Sequence, residues 1–200
     1  MDRSLYYVLS KNDISKVTDV LTKAFDEDDL INYLVNYRKK KIKHFFNLLV
    51  KIGVRYGQVV GTSANLEGVA IWLDSNIPIG LLKEIRCGGL SLLYRLGIKS
   101  FKRCMDLDTL VSQLHKKHMD TQHYIYLIEI GVDPIYQGKG FASKLLKNKF
   151  NDSEKESLPI FLETQKQENV SLYKHLGFKV IDEVVIPKTN IDEWCMVRYP

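Results

Sequence analysis

The chain has few cysteines and no long apolar run, and each of these two shortages argues against a class of protein. Its cysteines are Cys87, Cys104 and Cys195, an odd number without a Cys-x-x-Cys pair. This pattern favours reduced thiols over a disulfide scaffold or a zinc site. The apolar runs are far shorter than the roughly 18 residues that a membrane span needs, and the first residues do not resemble the core of a signal peptide. We therefore expect a cytoplasmic protein that has no membrane segment and no metal.

The charge of the chain is mildly basic, at +5 over 200 residues. Its cationic residues are dispersed, and the densest run, 38–43, stands at the start of a helical pattern. Because no nucleic-acid-binding motif accompanies them, we expect no nucleic-acid partner. Apolar residues make up 45% of the chain and charged residues 26%, as in ordinary globular proteins. No linker or repeat divides the chain, so residues 1–200 are predicted to form one domain.

Strand-like and helix-like segments alternate along the chain. Strands are predicted from β-branched and aromatic runs at 6–9, 58–62, 69–73, 124–132, 160–164, 179–185 and 194–198. Helices are predicted from apolar residues at helical spacing after 14, after 42, after 140 up to Phe150, and after 168. A polar loop is expected after Phe150. Residues 79–117 are predicted to be a helical insertion before the fourth strand, with joints at 88–89, Gly97 and Ser100. This order indicates an α/β fold.

In the segment 124–150, the spacing of apolar residues changes from a strand pattern to a helical pattern at a glycine-rich turn. A strand pattern, YIYLIEIGV, fills 124–132, QGKG occupies 137–140, and a helical pattern follows. A helix preceded by glycines presents unpaired backbone N–H groups and the positive end of its dipole, which suits a phosphate group. Glycine also lets the backbone approach a bulky anion closely. We therefore expect the turn to bind phosphate, with a turn that binds no ligand as the alternative.

Three phosphate-binding motifs compete for this turn. The Walker motif needs a spacing of glycine, lysine and hydroxyl residue that the turn lacks. The dinucleotide motif needs a third glycine where Ser143 stands. Glu163 occupies the position of a ribose-binding acid, so a nucleotide-binding protein remains a second hypothesis. The third pattern, Gln/Arg-x-x-Gly-x-Gly/Ala, is satisfied in full by Gln137, Gly140 and Ala142.

With these residues, VDPIYQGKGFASKLL resembles the acetyl-CoA segment of the GNAT N-acetyltransferase superfamily. The segment LETQKQENVSLYKHLGF is similar to the strand and helix that follow it there, and EWCMVRYP resembles the branch that includes puromycin N-acetyltransferase. The resemblance covers 124–200, whereas 79–117 matches no motif. It implies a mixed, mostly antiparallel central sheet that is flanked by helices and has splayed fourth and fifth strands. It also implies acetyl-CoA as the co-substrate, without a metal.

The resemblance further implies which residues hold coenzyme A. The fourth strand is expected to contact the pantetheine and the thioester through the backbone of Ile130, Gly131 and Val132. The turn and the next helix are expected to hold the pyrophosphate with Gln137, Gly138, Lys139, Gly140, Phe141, Ala142 and Ser143. Asn169 is expected either to contact the cofactor or to cap its helix. Lys166 stands where many relatives carry a cofactor-binding asparagine.

Acetyl transfer to an amine needs a base, donors for the oxyanion and a proton for the leaving thiolate. Tyr173 matches the tyrosine that protonates the thiolate in similar enzymes, and the Val132 N–H is the candidate oxyanion donor. Glu129, inside an otherwise apolar strand, and Glu163, on the next strand, compete for the role of base. Each can instead be solvated or lie in a salt bridge. The sequence also offers candidates for a proton relay through water, although it does not indicate where their side chains point. They are His115, His118, His123, Tyr124 and Tyr126.

The sequence therefore predicts an acetyl-CoA-dependent N-acetyltransferase that acts on a primary amine of a small molecule, by direct attack in a ternary complex. The alternatives are a non-catalytic acyl-CoA-binding module and a nucleotide-binding protein. We expect residues 79–117 to cover the acceptor side of the cleft, with Tyr94, Phe101 and Met105 contacting the acceptor. A structural cap or a homodimer surface is the alternative role. Basic residues of this segment suggest an acceptor that bears a carboxylate or phosphate, and a solvated helix face explains them equally well.

Overall fold

Seven strands form one sheet at the centre of the computed structural model, which describes residues 6–200. The strands are β1 (Tyr7–Val8), β2 (Gln58–Gly61), β3 (Gly68–Asp74), β4 (Ile125–Val132), β5 (Ile160–Thr164), β6 (Lys179–Val185) and β7 (Asp192–Arg198). They lie in the order β1-β2-β3-β4-β5-β7-β6, and only β4 and β5 pair in parallel within the described sheet. The first five residues, where the sequence predicts no signal peptide, lie outside the described residues.

Helices cover both faces of the sheet. They are α1 (Ile14–Ala24), α2 (Asp29–Leu34), α3 (Ile42–Tyr56), α4 (Leu81–Cys87), α5 (Gly89–Leu96), α6 (Ile98–Met119), α7 (Phe141–Glu156) and α8 (Gln167–His175). Apolar residues of α1, α2, α3 and α5 form the core on one face, and those of α7 and α8 form the core on the other. None of the helices in the described residues is long and apolar enough to cross a membrane. The predicted mixed, mostly antiparallel sheet flanked by helices is confirmed.

Some helix boundaries differ from the sequence-based prediction. The short helix α2 was not predicted, because six residues are too few to establish a helical period; its start is fixed by the Asp28 carboxylate, which accepts the Ile31 N–H at 3.1 Å. Helix α7 continues to Glu156 through the stretch expected to be a loop, and Ser157 ends it in the left-handed conformation. The polar residues of that stretch hide the helical period. Ser100 is not a joint, because it is buried inside α6.

The segment 79–117 contains α4, α5 and most of α6. Gly88 and Gly97 separate these helices with φ angles of 109° and 78°, which glycine adopts at little cost. The predicted glycine joints are therefore present. The C-terminal part of α6 packs against the sheet near Tyr124 and Phe161 through Leu114 and Met119, so the segment is joined to the strands that flank the central gap.

The strands β4 and β5 diverge at their C-terminal ends. Pairing joins 125–127 to 160–162 and then stops, although β4 continues to Val132 and β5 to Thr164. A β-bulge lies at the same point, because Glu129 stands opposite Ile71 while Leu127 stands opposite Trp72. Ile128 is therefore the extra residue. The predicted splay of the fourth and fifth strands is confirmed, and the gap it leaves positions the site.

Candidate active site

A cleft of about 500 Å³ occupies the gap between β4 and β5. It brings together ten of the eleven residues that the sequence predicts to bind the cofactor. These are Ile130, Gly131, Val132, Gln137, Gly138, Gly140, Phe141, Ala142, Ser143 and Asn169. The three candidate catalytic residues, Tyr173, Glu129 and Glu163, line the same cleft. Residues predicted from separate segments of the chain therefore share one cavity.

The glycine-rich turn forms one end of the cleft. Gly138 and Gly140 have φ angles of 74° and 79°, a region that side chains with a Cβ rarely adopt. A Cβ built on either glycine would meet no described atom within 4 Å, so both face open space. Helix α7 starts directly after Gly140, and no side chain caps it. The amides of its first turn have no acceptor within the helix and are available to an anion.

Two side chains of the turn are held by backbone carbonyl groups. Gln137 Nε2 donates to the carbonyl of Val132 at 3.2 Å, which joins the turn to the end of β4. Lys139 Nζ donates to the carbonyl of Ile135 at 3.2 Å and lies 5.3 Å from the centre of the Tyr136 ring. Lys139 is exposed and does not line the cleft, unlike the other predicted phosphate contacts.

Gly131 allows α1 to approach β4 closely. A Cβ at this position would lie 2.8 Å from Leu21 Cδ2 and 3.1 Å from Ala24 Cβ. Any larger residue would push α1 away from the sheet. The close approach places Ala24 and Phe25, at the end of α1, on the wall of the cleft.

Asn169 does not cap α8, so the capping role considered for it is wrong. The helix starts two residues earlier, at Gln167, and Lys166 occupies the N-cap position without a side-chain cap bond. Asn169 instead lines the cleft and donates from Nδ2 to Thr164 Oγ1 at 3.2 Å. Lys166 Nζ lies 3.1 Å from Asp28 Oδ2, so an ion pair joins the start of α8 to the start of α2 across the mouth of the cleft.

A second cavity, of about 320 Å³, lies on the other side of the carboxylates. Its walls come mainly from apolar residues of α2 to α6 and from β4. The residues that line both cavities are Phe25, Asp28, Ile128, Glu129, Glu163 and Gln165. Glu129 and Glu163 therefore stand where the two cavities meet, which is where an acceptor in one could reach a thioester in the other.

The charged residues that line the second cavity are all acidic among the described residues: Asp28, Glu84, Asp108, Glu129, Glu163 and Glu193. Phe101 and Met105 also line it, whereas Tyr94 is 91% exposed and does not. The basic residues considered for acceptor binding are not among the described lining residues, and they are Lys83, Arg86, Arg95, Lys99, Lys102 and Arg103. These basic residues therefore give no support to a carboxylate- or phosphate-bearing acceptor.

The β-bulge directs Glu129 into this second cavity. Strict alternation would put Glu129 on the same face as Leu127, which packs under α7 and α8. Because Ile128 is an extra residue, Ile128 and Glu129 both line the second cavity on the opposite face. Burial raises the pKa of the Glu129 carboxyl well above its usual range, and the neighbouring Asp28 carboxylate raises it further.

Glu163 has a different set of neighbours. Its side chain is 6% exposed, and Oε1 lies 2.7 Å from His115 Nε2. Burial, followed by the charge of this carboxylate, raises the pKa of the neighbouring Tyr126 hydroxyl. The other ring nitrogen of the histidine, Nδ1, lies 2.7 Å from the Tyr124 hydroxyl. Of the histidines named from the sequence, His115 is the one that the fold aims at a candidate catalytic residue.

Glu193 is a third carboxyl group at the second cavity, and sequence reasoning missed it. It is 1% exposed, and its Oε2 accepts a hydrogen bond from Gln165 Nε2 at 2.7 Å. Burial raises the pKa of the Glu193 carboxyl to about 8, against the stabilising effect of the Gln165 bond. The available signal was the one used for Glu129, a carboxylate at the start of an apolar strand, EWCMV.

Tyr173 both packs in the core and lines the cleft. The residue is 5% exposed, and the centre of its ring lies 5.5 Å from that of Phe178. Burial, followed by the charge of Glu129, raises the pKa of the Tyr173 hydroxyl above its usual range. The hydroxyl therefore stays protonated at neutral pH, and transfer of its proton to a thiolate is uphill.

The chain is similar to known acetyltransferases. Residues 108–180 match the family model described as the acetyltransferase (GNAT) domain. These residues are therefore similar to a GNAT domain, and the chain is an acyltransferase. An uncharacterised N-acetyltransferase of Schizosaccharomyces pombe is 28% identical to it over an alignment of 201 positions. The alignment covers 94% of this chain and 80% of the relative. The match supports a common chemistry without naming an acceptor.

Solved structures of low sequence identity share the GNAT fold with this acyltransferase. Arylalkylamine N-acetyltransferase 2 of Aedes aegypti has a TM-score of 0.68 at 16% identity, over 97% of each chain. A Corynebacterium glutamicum protein, named histone acetyltransferase HPA2 and related acetyltransferase, has a TM-score of 0.64 at 20% identity, over 98% of this chain and 95% of its own. These names point to different acceptors, and the puromycin branch is not confirmed.

Proposed function

We propose that the protein transfers the acetyl group of acetyl-CoA to the primary amine of a small molecule, by direct attack in a ternary complex. The observation that carries the proposal is the meeting of two cavities at Glu129 and Glu163. One cavity ends at a glycine turn suited to phosphate, and the other is apolar with acidic groups. A thioester in the first and an amine in the second would meet beside carboxylates that can accept a proton.

Coenzyme A is proposed to lie along the gap in the sheet. The amides of 138–143 would bind its pyrophosphate, and the backbone of 130–132 would contact the pantetheine and the thioester, with Asn169 on the facing wall. The unpaired edge of β4 beyond Leu127 supports this placement, because its backbone groups have no partner on β5 within the described sheet. The Val132 N–H remains the proposed donor to the oxyanion.

Overall, the acceptor ammonium loses two protons during the reaction. We assign the first to Glu163, which leaves a neutral amine whose lone pair attacks the thioester carbon. As the C–S bond breaks, Tyr173 is the proposed donor of a proton to the thiolate, and the second proton from the nitrogen restores the Tyr173 hydroxyl. Glu129 is less suited to be the base, because its raised pKa favours the neutral carboxyl at neutral pH. It can then donate a hydrogen bond to a bound group.

The acceptor is proposed to be a cationic amine with an apolar body. The second cavity combines apolar walls with carboxylates, and no Lys or Arg lines it among the described residues. Such a site attracts an ammonium group and disfavours an acceptor that carries a negatively charged group. The word arylalkylamine in the name of the Aedes aegypti structure fits the same combination.

Calorimetry and turnover together test the function. The protein should bind acetyl-CoA but not NAD in calorimetry, and acetyl-CoA should release free thiol in the presence of arylalkylamines or alkylamines. Amino acids and phosphorylated amines of similar size should be poor acceptors. NAD binding without acetyl-CoA binding would favour the nucleotide-binding hypothesis. Acetyl-CoA binding without turnover on any amine would favour the non-catalytic acyl-CoA-binding module, which the second cavity does not favour.

A further inference from the structure

Three side chains from separate elements form a hydrogen-bonded chain that ends at Glu163. The Tyr124 hydroxyl, just before β4, lies 2.7 Å from His115 Nδ1 on α6. His115 Nε2 lies 2.7 Å from Glu163 Oε1 on β5. The imidazole ring is held edge-on between two aromatic rings, with its centre 4.5 Å from that of Tyr126 and 4.7 Å from that of Phe161. These three hydrogen-bonded side chains therefore have a defined geometry at the junction of the cavities.

The direction of these hydrogen bonds follows from the Glu163 carboxylate, which can only accept. Burial, together with the Glu163 charge, raises the pKa of Tyr124 to about 12, so the hydroxyl keeps its proton at neutral pH. A neutral imidazole has one donor and one acceptor nitrogen. Nε2 therefore carries the ring proton and donates to the Glu163 carboxylate, and Nδ1 accepts a hydrogen bond from the Tyr124 hydroxyl. Each donor in the chain points toward the carboxylate.

We propose that His115 and Tyr124 are positioning residues for acetyl transfer, which hold the Glu163 carboxylate at the junction where it accepts the amine proton. This inference rests on the proposed function. It gives α6 a role beyond covering the acceptor cavity, because the helix supplies the residue that orients the base. Other ionisable groups that face this chain of hydrogen bonds are Tyr126 on β4, Asp108 on α6, and Glu193 and Cys195 on β7.

Substitution of His115 separates positioning from packing. His115→Leu keeps a residue that can pack against the aromatic rings but removes the donor to Glu163. We expect kcat to fall by ~10- to 100-fold, because a catalytic group displaced by about 1 Å can cost that much. The Kd for acetyl-CoA should not change. His115→Gln keeps an N–H donor and should recover most of the lost kcat. Equal losses in the two variants would overturn the proposal.

His118 provides a matched control on the same helix. It also lies 2.7 Å from a carboxylate, that of Asp182, and is 16% exposed, against 18% for His115. Asp182 is not among the residues that line either cavity. His118→Leu should therefore leave kcat unchanged. A loss as large as that of His115→Leu would show that α6 is simply sensitive to the loss of a buried histidine, and would contradict the proposal.

A double-mutant cycle with Glu163→Gln tests whether His115 acts through the carboxylate. Glu163→Gln alone should lower kcat by ~100-fold or more, the range for loss of a general base. In that background His115→Leu should cause little further loss, because the group it positions is gone. Tyr124→Phe should behave likewise with a smaller effect. Additive losses would mean that His115 acts independently of Glu163 and would refute the proposal.

The protonated nitrogen of His115 gives a readout that does not depend on turnover. In protein labelled with ¹⁵N-histidine, NMR should show His115 with its proton on Nε2 and with an unprotonated Nδ1 at neutral pH. His115→Gln identifies the resonances. A proton on Nδ1 would overturn the proposed chain even in an active enzyme. Conversely, absence of turnover in the wild-type protein, with the expected Nε2 proton, would count against the proposed function and not against the hydrogen-bonded chain.

Discussion

Glu129, Glu163 and Glu193 show how much the surroundings decide for one residue type. All three line the second cavity, yet each has different neighbours. Glu129 lies near the Asp28 carboxylate, Glu163 is bonded to His115 of α6, and Glu193 accepts a hydrogen bond from Gln165. The first and third have raised pKa values because burial outweighs their partners. Glu163 is the proposed base because its carboxylate is bonded to His115 where the two cavities meet.

Tyr173 is expected to act on the leaving thiolate. Its hydroxyl is protonated and buried, so Tyr173→Phe removes one donor and keeps the ring contact with Phe178. We expect kcat to fall by ~10- to 1000-fold, toward the lower part of the general-acid range, because a raised pKa makes the proton transfer uphill. The Kd for acetyl-CoA, measured by calorimetry, should stay the same.

Tyr56→Phe is the control for this substitution. The Tyr56 hydroxyl on α3 is buried and has no hydrogen-bond partner among the described residues, and it lines neither cavity. Its removal should leave kcat unchanged. If Tyr173→Phe also keeps wild-type turnover when chemistry limits the rate, Tyr173 is a core residue only.

At the scale of one element, the turn before α7 combines a left-handed backbone with open space. Gly140→Ala should weaken acetyl-CoA binding at least ~10-fold, because its methyl group projects into the space proposed for the pyrophosphate and its φ angle of 79° is unfavourable for alanine. Calorimetry measures the change in Kd directly.

Gly97→Ala separates the effect of the methyl group from backbone strain. Gly97 has nearly the same φ angle, 78°, but lies between α5 and α6 and lines neither cavity. Both variants should lose similar stability, while only Gly140→Ala should lose affinity. If folded Gly140→Ala and Gly97→Ala bind acetyl-CoA with equal affinity, the proposal that the turn binds the pyrophosphate is wrong.

The insertion 79–117 is a second element with a predicted effect on function. Phe101 and Met105 line the second cavity. Phe101→Ala and Met105→Ala should raise the KM of an apolar amine by ~10-fold, the usual effect of losing apolar contact in a binding site. The Kd for acetyl-CoA should not change. Tyr94→Ala is the control, since Tyr94 is 91% exposed. An unchanged KM in both cavity variants would favour a structural cap or a dimer surface.

The stability of the whole molecule should depend on pH through Glu193. Its pKa is about 8 in the folded protein against an ordinary value of 4.5. Between these values the native state binds more protons than the unfolded state, so stability falls as pH rises through this window. Glu193→Gln keeps a hydrogen-bond acceptor for Gln165 and removes the charge.

We expect Glu193→Gln to be more stable than the wild type above pH 8, by on the order of 2 kcal/mol after local relaxation, and equally stable below pH 4.5. Urea unfolding at several pH values measures the difference. Glu183→Gln, on the exposed edge strand β6, is the control and should show little change at any pH. A pH-independent difference for Glu193→Gln would mean that the charge of this residue is not what limits stability.

The sequence by itself determined the features that depend on local physics. The strand 124–132, the glycine turn and the start of α7 were predictable because their side-chain periods and left-handed glycines are properties of neighbouring residues. The position of Tyr173 on α8 followed from the same local pattern. For the same reason, α2 was missed, since six residues do not establish a period.

Only the tertiary structure decided which of these residues act together. His115 and Glu163 are 48 positions apart in the chain, and packing of α6 on the sheet places them 2.7 Å from each other. The bulge at Ile128, which turns Glu129 toward the second cavity, depends on the pairing of β4 with β3. The acidic character of that cavity arises from α2, α4, α6 and three strands. Contacts between distant segments are set by packing, and no local pattern records them.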